Sequence, residues 1–319
     1  MEGLQTDNMK QAQKTQKKKW SAGLILLLIL AIAILTVGVG MICYPTVSDW
    51  WNNLHQSRAI AGYIEKTADL TKEQYDQMWA EAEAYNRSLV GNAHRYTPTD
   101  EEDAHYKSIL DATGTGIMGY IQIPRINVDL PIYHTTDEAV LETAVGHMEG
   151  TSLPVGGKGT HCVLSGHRGL PSARLFTDID KLKTGDIFTL QILNRTLTYK
   201  VDHIDTVLPN EIQDLKIDPE EDYCTLVTCT PYGVNTHRLL VRGHRIENSE
   251  EDFSVTADAL QYDPYYVLPV LCVLLAFVTA LWLIISAGSH HRDLKRKNKT
   301  HGDNHGDSIA RKQDGSRPD

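Results

Sequence analysis

At 319 residues with a formal net charge of −10 and a pI near 5.8, the chain lacks the basic surface that phosphate binding needs, which excludes a nucleic-acid partner. Its five cysteines, Cys43, Cys162, Cys224, Cys229 and Cys272, are odd in number and are not spaced as metal ligands, which excludes a multi-disulfide framework and a zinc module.

The polar N-terminus, residues 1–21, carries Lys10, Lys14, Lys17, Lys18 and Lys19, and an almost wholly apolar run follows at 22–44. That run is long enough to span a bilayer, and the lysines place the N-terminus in the cytoplasm. A cleaved signal peptide is the rival reading, but its apolar core is only about 7 to 15 residues and ends in a small-x-small site. A second apolar run at 265–287 is followed by Arg292, Lys295, Arg296, Lys297 and Lys299. Both termini are therefore expected in the cytoplasm, with the segment between the runs outside a cell membrane crossed twice. Cys43 and Cys272 fall in the apolar runs as small hydrophobes. The cytoplasmic tail, 288–319, reads as solvated chain, including His290, His291, His301 and His305, for which metal binding is the weaker reading.

Residues 45–118 open the outer segment. Val47 to Lys66 and Thr71 to Leu89 are expected to be helical. The second begins with the capping box Thr71-x-x-Gln74 and sets Tyr75, Met78, Trp79, Ala82 and Tyr85 at helical spacing, a stripe suited to packing on a domain. Asn86 to Gly116 is polar and turn-rich, a candidate flexible flap.

From 119 to 250 the pattern changes to short strands: Gly119 to Ile123, Val128 to Tyr133, Thr160 to Ser165, Ile187 to Leu193 and Thr196 to Val207, then a hairpin. Short helices are expected at Asp137 to Thr143 and Ser172 to Lys181. This spacing, with Gly-, Pro- and Asn-containing turns, predicts a mainly β, closed or nearly closed barrel. A linker at 251–264 leads to the second apolar run.

The hairpin holds the chemistry. An alternating run, Cys224 to Thr228, delivers Cys229; Pro231-Tyr232-Gly233 turns the chain; a second run, His237 to Arg242, returns it. Arg238, Leu240 and Arg242 share one face, so Arg238 can stand beside Cys229. Cys224 and Cys229 face opposite ways and do not pair, which leaves Cys162–Cys224 as an open disulfide possibility. A thiol becomes an acyl-transfer nucleophile when a base or cation helps it to the thiolate. Among the histidines, His167 in Leu164-Ser-Gly-His-Arg-Gly169 fits best, because it follows a strand and its flanking glycines permit an irregular backbone. His147, His161, His237 and His244 are weaker candidates. Arg238 offers a permanent charge to an oxyanion.

Thr225-Leu-Val-Thr-Cys229, Arg238 nine positions on, and Leu-Ser-Gly-His167-Arg-Gly resemble the sortase active site, and in particular that of class C sortases, the pilin polymerases of Gram-positive bacteria. The resemblance extends over Gly119 to Arg245, including the block from Gly146 to Gly157 and Ala173-Arg-Leu-Phe-Thr177, and the two apolar runs fit class C. It implies an eight-stranded sortase β-barrel with N-terminal helices, flanked by two transmembrane helices. Cys229 would attack the Thr-Gly bond of a Leu-Pro-x-Thr-Gly-like sorting signal, with His167 as general acid and base and Arg238 as substrate and oxyanion partner. A pilin lysine amine would resolve the thioacyl enzyme; a peptidoglycan amine is the alternative acceptor, and a non-catalytic surface receptor with a structural Cys229 is the reading from another class. No metal or organic cofactor is implied. One departure stands out: class C enzymes carry an Asp-Pro-aromatic lid motif upstream of the first barrel strand, and Asn86 to Gly116 has none. Asp263-Pro264-Tyr265 is misplaced for that role, so either the lid is absent or another group, such as His94 or Tyr96, fills the cleft.

Overall fold

The computed structural model describes residues 22–248 and the single position Phe277. The lysine-rich N-terminus, the 251–264 linker, the second apolar run at 265–287 apart from Phe277, and the histidine-containing tail lie outside the described residues.

Helix α1 spans Ala22–Ala68 as one element with Pro45 inside it, where a break between two helices was expected. An interior proline removes one backbone hydrogen bond and crowds the carbonyl four residues back, yet the helix continues past Pro45. Among the described residues this is the one helix long and apolar enough to cross a membrane. Leu26, Leu27, Ile29 and Leu30 stand exposed on it, the pattern of a lipid-facing stretch. The chain divides into compact units between Cys43 and Tyr44, and the barrel belongs to the unit that starts at Tyr44.

Helix α2, Lys72–Leu89, starts at the expected capping box, Thr71 Oγ1 accepting from Gln74 N while Thr71 N donates to Gln74 Oε1. Trp79 and Ala82 of its apolar stripe are buried, and Tyr75 and Tyr85 pack at the core edge. The expected flap is not wholly irregular: helix α3, Asp100–Ser108, begins at a second capping box on Thr99 and Glu102 and buries Tyr106. Ile109 and Leu110 follow it into the core, so the irregular parts of the expected flap are the stretch before Thr99 and the turn at 111–116.

Eight strands follow: β1 Ile117–Ile123, β2 Val128–His134, β3 Val145–His147, β4 Thr160–Ser165, β5 Ile187–Ile192, β6 Arg195–Val207, β7 Asp222–Thr230 and β8 His237–Ile246, with a one-turn helix α4, Glu138–Leu141, before β3. They close into a barrel in the order β1-β2-β3-β4-β7-β8-β6-β5. Most neighbours are antiparallel; β2 with β3, and β4 with β7, run parallel. Of the helix expected at Ser172 to Lys181, only a 3-10 turn at Ile179–Lys181 forms.

Period-2 alternation decides what the barrel holds. Leu164, Cys224, Leu226, Leu239 and Val241 point inward with Phe176, Phe188 and Tyr199 to form the main core. Phe188 and Tyr199 stack at 5.5 Å, and a Cβ on Gly243 would meet Phe188 Cε1 at 2.8 Å, so the glycine makes room for that pair. The helices dock by specific bonds as well as burial. Tyr63 Oη donates to Met118 O and accepts from Leu193 N, and Trp79 Nε1 donates to Asn194 Oδ1 beneath the Arg195 guanidinium. Asn52 Nδ2 donates to Ser172 O, and Asp49 accepts from Arg174 N, so α1 also braces the loop after β4.

Candidate active site

Cys229 and Arg238 are direct backbone partners in the β7–β8 ladder, as the alternating hairpin predicts. Antiparallel partners share a face, so thiol and guanidinium emerge on the same side of the sheet. That side is the outer one: Leu226, Leu239 and Val241 occupy the interior, while Val163, Val207, Leu215, Val227 and Leu240 form a second cluster with Met148 packed against it. Val227 and Leu240 are the residues next along from Cys229 and Arg238 on that face. The site therefore opens at the end of an apolar strip on the barrel wall.

His167 arrives through the parallel pairing of β4 with β7. Ser165 lies opposite Val227, and two residues past that pair the chains reach His167 and Cys229 respectively. The approach continues beyond the ladder: Gly166 N donates to Val227 O at 3.1 Å, and Thr228 Oγ1 donates to Gly166 O at 2.7 Å. The residues immediately before the histidine and the cysteine are thus tied to each other. Gly166 is demanded by proximity rather than by backbone freedom, since a Cβ there would lie 2.7 Å from Phe176 Cδ2. Gly169 does take a left-handed φ of 75°, and Tyr232 lies against its Cα.

His167 Nε2 is buried without a hydrogen-bond partner, and Glu138 Oε1 stands 3.6 Å away, beyond bonding reach. Arg238 Nη1 donates to Asn235 O and His237 O, which turns the guanidinium along the β7–β8 loop. No hydrogen bond joins the side chains of His167, Cys229 and Arg238 among the described residues; what unites them is their place at one rim. Cys229 is half-buried and free. Cys162 and Cys224 are also free; they face each other across β4 and β7 inside the core, so the open disulfide possibility is not realised. Burial pushes the Cys224 thiol well above the usual thiol range, with Cys162 beside it acting the same way, which keeps it protonated and unreactive.

The weaker histidines have other work. His147 is fully buried, its Nδ1 paired with Tyr106 Oη at 2.9 Å. His161 Nδ1 donates to Lys216 O at 2.8 Å, which leaves Nε2 to accept from Thr225 Oγ1 at 2.7 Å and fixes the neutral ring. Burial pulls its pKa down to about 4, and the Arg242 and Arg95 charges act in the same direction. His237 Nδ1 meets Thr236 Oγ1 in the loop, and His244 stands 4.0 Å from Asp202. Arg168, next to His167, was not singled out in the sequence. Its guanidinium binds Asp180 Oδ2 at 2.5 Å and Thr230 Oγ1 at 3.4 Å, bracing the histidine loop against the end of β7. The expected cleft-filling groups sit elsewhere: Tyr96 lies against Gly150, His94 is exposed, and neither bonds His167, Cys229 or Arg238.

Fold and site together define a class: a closed β-barrel presenting a cysteine, a histidine and an arginine at one rim of its outer wall. A sortase domain is matched over residues 121–246. Sortase D of Bacillus subtilis is 30% identical over 131 residues, covering 40% of this chain and 63% of that protein, so the similarity spans less than two thirds of its length. The crystal structure of sortase C1 from Streptococcus agalactiae is 53% identical, covering 60% of this chain and all of that one, with a TM-score of 0.59. A sortase C from Clostridium perfringens, solved with its C-terminal cell wall sorting motif, is 46% identical over 60% of this chain and 99% of that one, at a TM-score of 0.53. The sortase C structure of Streptococcus pneumoniae, described in terms of catalysis and pilin substrate specificity, is 40% identical with a TM-score of 0.53. The chain belongs to the sortase family, and its similarity to solved structures falls among the class C members.

Proposed function

We propose that this protein is a membrane-anchored cysteine transpeptidase that polymerises pilin subunits, with Cys229 as nucleophile, His167 as general acid and base, and Arg238 as oxyanion and substrate partner. The observation that carries the reading is the register that launches His167 and Cys229 from equivalent positions past the Ser165–Val227 pair while Arg238 pairs with Cys229. The Cys229 thiolate attacks the threonine carbonyl carbon of a Leu-Pro-x-Thr-Gly-like signal. The Thr-Gly amide bond breaks, and His167 gives its proton to the departing glycine amine. A lysine amine of the next pilin then attacks the thioester and loses a proton to His167; an isopeptide bond forms and the thiolate is released. Arg238 stabilises the oxyanion in both steps once its guanidinium swings from the loop carbonyls. The barrel sits outside the cell, tethered by spans at 22–44 and 265–287.

The experiment incubates the full chain in nanodiscs with a sorting-signal peptide and, in separate arms, a pilin lysine donor or a peptidoglycan amine. An isopeptide product that vanishes in Cys229→Ala supports the proposal. Product only with the peptidoglycan amine replaces pilin polymerisation by cell-wall anchoring. Undiminished activity of Cys229→Ala removes the enzymatic reading and leaves a structural thiol.

A further inference from the structure

The apolar strip leading to Cys229 is roofed at its far end by the segment between β6 and β7. Leu215 of that segment is buried against Val163, Val207, Val227 and Leu240. Thr225, which ends the strip, lies four residues before Cys229, roughly 13 Å at strand rise. Beyond Leu215 the segment lies on the surface, with Ile212, Gln213 and Lys216 exposed, so burial holds it at one point only.

Two consecutive carbonyls of this segment are held from outside it, by different parts of the chain. Leu215 O accepts from Arg95 Nη2 at 3.3 Å, and Lys216 O accepts from His161 Nδ1 at 2.8 Å. Each donor is itself fixed. His161 is buried on β4, with its second nitrogen engaged by Thr225 and its ring edge-on to Tyr223, which the Arg242–Asp202 pair covers. Arg95 also donates to Tyr96 Oη at 2.7 Å, and its own carbonyl and the Tyr96 ring press on Gly150 so closely that a Cβ there would sit 2.3 Å from Arg95 O. Gly150 has a left-handed φ of 80°, so the close approach and the backbone both require glycine at that point.

We propose that Arg95 and His161 form a latch that holds the Leu215–Lys216 segment down as the wall of the groove receiving the sorting signal, making both positioning residues for substrate. This rests on the transpeptidase reading for the identity of the ligand. The loop before α3, expected from sequence to cover the thiol, instead governs the groove wall. The latch acts on binding rather than on bond breaking, because it grips the strip some four residues from Cys229 and touches none of the three groups at the rim.

The test uses the full chain in nanodiscs with Arg95→Ala, His161→Leu and His161→Asn, the last keeping an N–H donor near the Nδ1 position. Three quantities are measured: amide exchange across 208–221, kcat and KM for hydrolysis of a sorting-signal peptide, and the rate at which a small methanethiosulfonate labels Cys229. Losing the bond to Leu215 O or to Lys216 O should speed exchange at 208–221 and raise KM by about fivefold or more each in Arg95→Ala and His161→Leu. Values of kcat and of labelling should stay within about twofold of the parent, and His161→Asn should recover most of the loss. Unchanged exchange at 208–221 in both variants overturns the latch, as does exchange that rises evenly over the whole barrel or a loss confined to kcat. A parent protein that never turns over the peptide, yet shows local exchange responding as described, removes the transpeptidase reading while the latch stands.

Discussion

Replacing Thr228 by valine tests whether the geometry of the rim is set one residue upstream of Cys229 and of His167. The hydroxyl donates to Gly166 O at 2.7 Å; Thr228 precedes Cys229 and Gly166 precedes His167. Valine keeps the branched shape and deletes only the donor, and because both groups are buried the carbonyl gains no water in exchange. The cost of stranding a buried acceptor is about 1–3 kcal/mol, at the upper end of what a single hydrogen bond contributes net. The consequence for catalysis is larger than that figure suggests. The histidine loop is then free to move relative to the end of β7, and a displacement of about 1 Å costs on the order of 100-fold in rate. Chemical denaturation and steady-state peptide hydrolysis should show a stability loss of about 1–3 kcal/mol. Alongside it kcat should fall by about 10- to 100-fold, with KM nearly unchanged and Thr228→Ser retaining most of the parent activity. Parental kcat in the valine variant, whatever its stability, would show that the Thr228–Gly166 bond does not set the distance between the proposed nucleophile and base.

His161 makes stability depend on pH in a defined direction. Its folded pKa of about 4 lies below the ordinary value near 6.5, so the unfolded chain binds the extra proton first; its contribution is complete above pH ~6.5 and drains away as pH falls towards 4. The difference amounts to about 3 kcal/mol, and the stability advantage of the parent over His161→Asn should shrink by up to that amount between pH 7 and pH 4. An advantage that stays constant over this range would show that the ring is not held neutral. Gly166→Ala should lower the melting temperature and suppress peptide turnover, because its Cβ would sit 2.7 Å from the fully buried Phe176 ring and overpacking of that kind costs about 1–3 kcal/mol. Parental turnover in this variant would mean that Phe176 can shift without disturbing the histidine loop.

What the residues revealed in advance follows the reach of each signal. The β7–β8 hairpin was legible because alternation and a turn are local, and it correctly set Arg238 beside Cys229 on one face and Cys224 on the other. Strand β3 escaped because Val145–His147 is too short to show a period, although it completes the barrel between β2 and β4. Helix α3 carried a readable capping box at Thr99 and Glu102, but Tyr106 is its only buried residue, so no apolar stripe advertised it. His167 was identifiable as a loop histidine after a strand, whereas its register against Cys229 depends on a parallel pairing that no local pattern reports. Arg168, the Thr228–Gly166 tie and the demand for glycine at 166 are products of tertiary approach. The displaced role of Tyr96 has the same origin, since Gly150 and Leu215, which receive that loop, are distant from it in sequence.

The parallel pairing of β4 with β7 also orders events in time. It joins positions 62 residues apart, a closure that costs roughly 4 kcal/mol of chain entropy before any contact repays it, whereas β5–β6 and β7–β8 can zip locally. The edge of β4 that leads towards His167 must wait, unpaired, for the penultimate strand to arrive. A nascent chain therefore carries His167 long before Cys229 has a place to dock beside it, and the meeting of the two becomes one of the last features the folding barrel acquires.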